Sequence, residues 1–252
     1  RAYYNYSNIK KVANGKLGPG MDIFQSKPIM LVGKGYDKKK DLSGAPDAAL
    51  KQAQQIRLWM TSYLCYPYNK FKENLAKEIK SFILNWSQAK AFMKTRKNNS
   101  DSYCCIQDAV LTMNLDMSDF ITAYLIVIKD FPDSKKNKET IVKWFKNYMK
   151  KYGNRHFKKD SVGQFFNQHA VIRDYLNLKI AILTNNNELF SESAKRSLKV
   201  LAQSTPEGVY PYAAARGQKA MWYSMEMMND YTHLLEVLRA QGYDLYNYEL
   251  EG

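Results

Sequence analysis

Hydrophobic residues recur at spacings of three and four through most of the chain after Pro46, and this period predicts consecutive helices. Only 7 prolines and 12 glycines interrupt 252 residues, so the predicted helices are long and the loops between them short. Short loops make neighbouring helices antiparallel, which predicts an all-α protein built from helical hairpins. The predicted helices cover Asp47–Leu64, Tyr68–Thr95, Cys105–Asp130, Lys136–Tyr152, Phe165–Thr184, Glu188–Ser204 and Ala213–Gln241.

The first 45 residues lack this period. They hold half of the glycines and the charge run Lys38–Lys40, with one short strand predicted at Pro28–Val32. We therefore expect an irregular N-terminal arm at 1–45 and a single helical domain at 46–252, because nothing after Pro46 marks a domain boundary.

The composition is that of a globular protein, with 45% hydrophobic residues. The apolar stretch Phe120–Ile128 is long enough for a core helix and too short for a membrane span. The chain begins at Arg1 without an initiator methionine, so we expect that an upstream segment was removed or not included. Cys65, Cys104 and Cys105 lack the spacing of a zinc site. They are read as buried free thiols, with a Cys65 disulfide to one of the other two as the alternative.

The formal net charge of +14 indicates a partner of opposite sign. Nucleic acid, anionic lipid and acidic polysaccharide all meet that condition, and charge alone does not choose among them.

Candidate chemistry concentrates in the last third of the chain. Arg216 and Tyr223 are predicted on one helix, two turns apart, with Lys219 nearby. The same periodicity assigns the core face of this helix to an apolar stripe on another side. The stripe consists of Met221, Met225, Met228 and Leu235.

His169 is predicted at the start of a helix, where free N–H groups attract anions. Arg173, one turn further on, is expected to add a second cation to the same face. A packed histidine at the edge of the core is the alternative reading of His169.

Five short motifs, taken in order, carry a family resemblance. They are Asn167–His169, Gly208–Pro211, Ala215–Gly217, Ala220–Tyr223 and Gln241–Tyr246. Their sequence and spacing resemble the Asn-Asn-His, Gly-x-x-Pro, Arg-Gly, Ala-Leu-x-Tyr and Gly-x-Asp-Leu segments of alginate lyases. The resemblance covers about residues 165–246, and it implies an α/α toroid, or incomplete helical barrel.

The resemblance also implies a polysaccharide lyase that cleaves an acidic, uronic acid polymer such as alginate or polyglucuronate by β-elimination. Removing the proton beside the carboxylate requires charge neutralisation, a base and an acid. The residues assigned to catalysis are His169, Tyr223, Arg216, Asn167 and Gln168, and those assigned to substrate binding are Arg173, Lys219, Trp222 and Tyr212. No metal and no organic cofactor is implied, and the protein is expected to be a monomer that is periplasmic or secreted.

Two positions depart from the family pattern. Gln168 stands where the family usually has Asn, and Ala213 where it commonly has an acidic residue. These departures keep open a catalytically inactive relative that binds a polyanion. The net charge and the 19 tyrosines keep open a helical nucleic-acid-binding protein, although no helix-turn-helix or ribonucleoprotein motif is found.

Overall fold

The computed structural model describes residues 30–31, 45–65, 70–95, 103–153 and 168–247. Side chains are described for 55–65, 71–93, 113–152 and 170–247. The chain divides into two compact units, Arg1–Tyr148 and Met149–Gly252, and each is described by itself. The single helical domain at 46–252 stays a prediction.

Helices account for nearly all of the regular structure described. The first unit contains β1 (Met30–Leu31), α1 (Ala45–Cys65), α2 (Lys70–Gln88), β2 (Lys94–Thr95), α3 (Tyr103–Asp130) and α4 (Lys135–Tyr148). The second contains a π-helical turn (Met149–Gly153), α5 (Gln168–Thr184), α6 (Asn187–Leu201), α7 (Pro211–Ala214), a 3₁₀ turn (Gly217–Lys219) and α8 (Ala220–Ala240). Among the described residues, no helix is both long and apolar enough to cross a membrane.

Most predicted helices are found within a few residues of their expected bounds, but α2 ends earlier than predicted. The apolar period continues to Thr95, whereas the helix stops at Gln88 because Lys90 and Phe92 adopt positive φ angles of 52° and 62°. The turn returns the Phe92 ring to the core, with its centroid 5.0 Å from that of Trp86. The residues that follow form β2, which pairs in parallel with β1 inside the predicted strand Pro28–Val32.

In the first unit, α1 packs against α3, and α2 packs against both α3 and α4. Trp59 of α1 meets Phe82 of α2 edge to face at 6.3 Å. The Tyr148 hydroxyl of α4 donates to Asn114 Oδ1 of α3 at 3.0 Å. The most apolar predicted segment, Phe120–Ile128, lies in α3 and is largely buried, as expected of a core helix.

In the second unit, α5 packs against both α6 and α8. A two-residue turn joins α5 to α6, and Asn186 caps α6 by accepting from the Leu189 N–H at 3.0 Å. The Tyr231 hydroxyl of α8 donates to the Ser197 carbonyl of α6 at 2.9 Å. These contacts hold α8 against α5 and α6, and α5 begins near His169.

The predicted core face of the last helix is wrong for three of its four residues, and the fourth, Leu235, packs partly buried against the core. Met221, Met225 and Met228 are 78%, 66% and 50% exposed. The buried residues of α8 are instead Met227, Asp230, Tyr231, Leu234 and Leu238. Both sets repeat with the helical period, and packing against α5 and α6 selects the second.

The prediction of a buried thiol is also wrong for Cys65, which is free and exposed at the end of α1. The side chains of Cys104 and Cys105 lie outside the described residues, as does most of the predicted N-terminal arm.

Candidate active site

A break in the chain before α8 creates the local geometry of the candidate site. The predicted helix Ala213–Gln241 is interrupted, because α7 ends at Ala214 and α8 begins at Ala220. Gly217 has a φ of +59°, a backbone conformation that favours glycine. Arg216 therefore lies in the connection and not on the helix that carries Tyr223.

Arg216 is held by aromatic rings on both sides of this break. Its guanidinium carbon lies 4.4 Å from the ring centroid of Tyr223 and 5.4 Å from that of Tyr212. Both distances are within the range of a cation–π contact. Arg216 is exposed, and within the described part of the chain it has no carboxylate partner. The predicted proximity of Arg216 and Tyr223 is present, although it arises through a turn and not along one helix.

Tyr223 anchors this arrangement to the core of the second unit. Its ring is half-buried and packs against the cluster that includes Met227 and Tyr231. This corrects the expectation that Tyr223 lies away from the core face. The described residues give its hydroxyl no hydrogen-bond partner, so that group can interact with a ligand.

The other predicted contacts at this end of α8 lie on the surface. Trp222 is 54% exposed, and its ring meets that of Tyr223 edge to face at 4.9 Å. Tyr212 is 37% exposed, and Lys219 is exposed at the N-cap of α8. Arg216, Tyr223, Trp222 and Tyr212 therefore form one connected group, which we call the arginine–aromatic cluster.

Ala213, one of the two departures from the family pattern, is buried beside this cluster. It packs in the hydrophobic core with Tyr210 and Leu238. Burying a carboxylate at this apolar position without a partner would be costly, so alanine suits the packing seen here.

The segment with the predicted histidine is described only in part. Gln168 and His169 are the first two residues of α5, as the sequence predicts. Asn167 and the side chains of Gln168 and His169 lie outside the described residues. Their catalytic roles stay predictions.

Arg173 is not on an exposed face beside His169, contrary to the expectation. It is 1% exposed, and its Nη2 lies 3.0 Å from Asp174 Oδ2. Asp174 also accepts from Nε of Arg196 on α6 at 3.0 Å. Burial lowers the pKa of Arg173 to about 10. This buried group joins α5 to α6, so Arg173 serves the packing of the unit and does not face a surface-bound polymer.

A second cation–aromatic group on α5 and α8 was missed by the sequence analysis. The Lys179 ammonium lies 3.5 Å from the Tyr175 ring centroid, and that ring stacks on His233 at 5.9 Å. The spacing of four between Tyr175 and Lys179 is the signal that could have indicated the first contact.

The fold is shared with solved structures of alginate lyase A1-III. The enzyme from Sphingomonas species A1 is similar with a TM-score of 0.69 and 15% identity, over 98% of this chain and 72% of that chain. A variant with one tyrosine replaced by phenylalanine, complexed with a tetrasaccharide, gives 0.72 and 15%, over 98% and 71%. The expected all-α class and α/α toroid fold are thereby confirmed. No curated protein matches the sequence.

The fold and the family pattern together define the protein as a polysaccharide lyase. The pattern of the alginate lyase family matches residues 38–252, and the chain belongs to that family. Membership implies an acidic polysaccharide as substrate.

Proposed function

We propose that the protein cleaves a uronic acid polymer, such as alginate or polyglucuronate, by metal-independent β-elimination at the arginine–aromatic cluster. The observation that carries the proposal is the exposed Arg216 guanidinium between the rings of Tyr223 and Tyr212. The arginine–aromatic cluster combines a cation for the substrate carboxylate with a phenolic hydroxyl for proton transfer.

Arg216 is suited to neutralise the carboxylate of the uronate whose C5 proton is removed. An unneutralised carboxylate makes that proton only weakly acidic, because the intermediate would carry additional negative charge. In the proposal, Arg216 and an amide from Asn167 or Gln168 stabilise the enolate-like intermediate. The two tyrosine rings restrict the guanidinium before the substrate arrives, which reduces the entropy lost on binding.

Tyr223 and His169 form the proposed acid–base pair. One accepts the C5 proton, a C=C bond forms as the neighbouring carbon–oxygen bond breaks, and the other protonates the leaving glycosidic oxygen. The Tyr223 hydroxyl, which has no hydrogen-bond partner among the described residues, is available for this step. The start of α5 supplies N–H groups that favour an anion near His169.

Trp222, Tyr212 and Lys219 are proposed to bind the polymer around the reacting unit. Exposed aromatic rings present apolar surface to the carbon face of a sugar, and Lys219 adds positive charge. A solved structure of similar fold is complexed with a tetrasaccharide, which supports an oligosaccharide as the kind of ligand proposed here.

Tyr223→Phe tests the mechanism, because it keeps the ring and removes only the hydroxyl. General acid–base catalysis contributes about 10²–10⁴-fold, so kcat should fall by at least that range while substrate binding remains. The readout is the ultraviolet absorbance of the unsaturated product on a panel of defined uronic acid polymers. Near-normal turnover of Tyr223→Phe on the best substrate would show that the mechanism is wrong.

Arg216→Ala is the contrasting variant. It removes the partner of the carboxylate, so KM should rise and kcat should fall together. Wild-type protein that binds these polymers without forming unsaturated product would favour the inactive, polyanion-binding relative. Salt-sensitive binding of DNA without that product would favour the nucleic-acid reading. A monomeric state and a periplasmic or secreted location stay predictions.

A further inference from the structure

Helix α4 carries a dense row of exposed lysines on one side. At 100° per residue, Lys135, Lys136, Lys143 and Lys146 fall within an arc of about 100° and span about 16 Å of the helix axis. We call these four residues the lysine face. The opposite side packs into the first unit through Ile141, Trp144, Phe145 and Tyr148.

The lysine face is not neutralised within the part of the chain that the structure describes. None of its four ammonium groups makes an ion pair or hydrogen bond there. Glu139, the one acidic residue of α4, falls within the same arc, so the arc carries four positive charges and one negative charge. Lysines on α2 differ in this respect. Lys77 pairs with Glu73 at 2.8 Å, and Lys72 lies 3.5 Å from Asp130.

Folding explains only part of this charge pattern, namely the i, i+4 spacing of Glu139 and Lys143, which stabilises a helix. Lys135 and Lys136 lie in the first turn of α4, where the helix dipole favours anions. Lys143 and Lys146 are three apart, and like charges at that spacing destabilise a helix by about 0.2–0.5 kcal/mol. The helix start is stabilised instead by Ser134, whose hydroxyl accepts from the Asn137 N–H at 3.2 Å.

We propose that the lysine face is a second docking surface for the acidic polysaccharide, separate from the arginine–aromatic cluster. The two lie in different compact units, since α4 ends the first and Arg216 and Tyr223 belong to the second. Chain segments that are not being cleaved bind the lysine face and raise the local concentration of polymer. The inference rests on the acidic substrate of the proposed function.

The chemistry of the lysine face favours a polyuronate over single-stranded nucleic acid. Single-stranded nucleic acid is bound by basic grooves combined with aromatic rings on which bases stack. The aromatic residues of α4, Trp144, Phe145 and Tyr148, are all buried. Ammonium groups without exposed rings suit a polyanion that is recognised through its carboxylates.

The test variant replaces all four residues of the lysine face by glutamine. The matched control replaces four exposed lysines elsewhere and so removes the same charge: Lys77, Lys129, Lys195 and Lys199. At low ionic strength we expect KM on long alginate to rise about tenfold in the test variant, a size typical of electrostatic capture. Its kcat, and its kcat/KM on a tetrasaccharide, which has no long flanking chain to bind the lysine face, should stay unchanged.

Affinity electrophoresis through gels that contain alginate supplies a readout independent of catalysis. Wild type and control should be retarded, and the test variant should be retarded less. If wild type binds alginate in the gel but cleaves no polymer, the proposed function fails while the docking surface stands. Equal effects of test and control variants, or a matching loss on the tetrasaccharide, would overturn the docking surface. Lost retardation in duplex DNA gels with unchanged retardation in alginate would assign the face to nucleic acid.

Discussion

At the scale of single residues, the first unit contains a buried carboxyl group with an unusual pKa, that of Asp116. Asp116 of α3 is 1% exposed, and its Oδ2 has no hydrogen-bond partner among the described residues. Burial, and then the nearby Asp119, raise the pKa of Asp116 to about 7, while Arg57 opposes the shift. The folded protein therefore favours the protonated form of this side chain.

Asp116→Asn, which mimics the protonated carboxyl, should change how stability depends on pH. Because the folded pKa lies above the unfolded value of 3.8, wild type loses stability as pH rises from about 4 to about 7. The variant should lack that loss and be more stable at about pH 8, by a few kcal/mol and at most about 4. Chemical denaturation at about pH 5 and pH 8 measures the difference. Glu139→Gln, at an exposed site, should keep the pH dependence of stability that wild type shows. If the stability of Asp116→Asn depended on pH in the same way as that of wild type, the prediction would be contradicted.

At the scale of elements, the break between α7 and α8 decides where Arg216 lies. Gly217 holds the left-handed conformation at this break, and a Cβ built on it meets no atom within 4 Å. Backbone strain, and not a steric clash, is therefore what a larger residue would introduce.

Gly217→Ala should lower the free energy of unfolding by about 1–2 kcal/mol, the strain of an L-residue in this region. It should also lower kcat/KM, because relaxation of the turn moves Arg216 away from the Tyr223 ring. Gly242→Ala is the control, since Gly242 has a φ of +90° at the far end of α8 and likewise has no close neighbour. Its stability should fall by a similar amount with activity retained. Equal activity of the two variants would show that the turn does not position Arg216.

At the scale of the whole molecule, the net charge of +14 acts on a polyanionic substrate before any specific contact forms. We expect KM on the polymer to rise steeply with ionic strength while kcat changes little. Salt screens the attraction that brings the protein and the polymer together more than it affects the catalytic step. Steady-state kinetics over a salt series measures this. A KM that is flat from low to high salt would remove the argument for electrostatic capture.

The sequence by itself determined the helical class, the positions of most helices and the motifs of the last third. These depend on local spacing, because the helical period, loop length and residue order are properties of a short stretch of chain. The helix that carries His169, predicted at Phe165–Thr184 and described at Gln168–Thr184, and the resemblance to alginate lyases could be read in this way.

Only the tertiary structure decided which side of α8 is buried and how Arg216 meets Tyr223. Two apolar stripes repeat along α8 with the same period, one through Met221 and one through Met227, and periodicity alone does not say which one faces a neighbour. Packing against α5 and α6 buries the second stripe and partly buries the Tyr223 ring with it. The contact of Arg216 then forms across a turn at Gly217, so it depends on the position of one element against another, which no local pattern encodes.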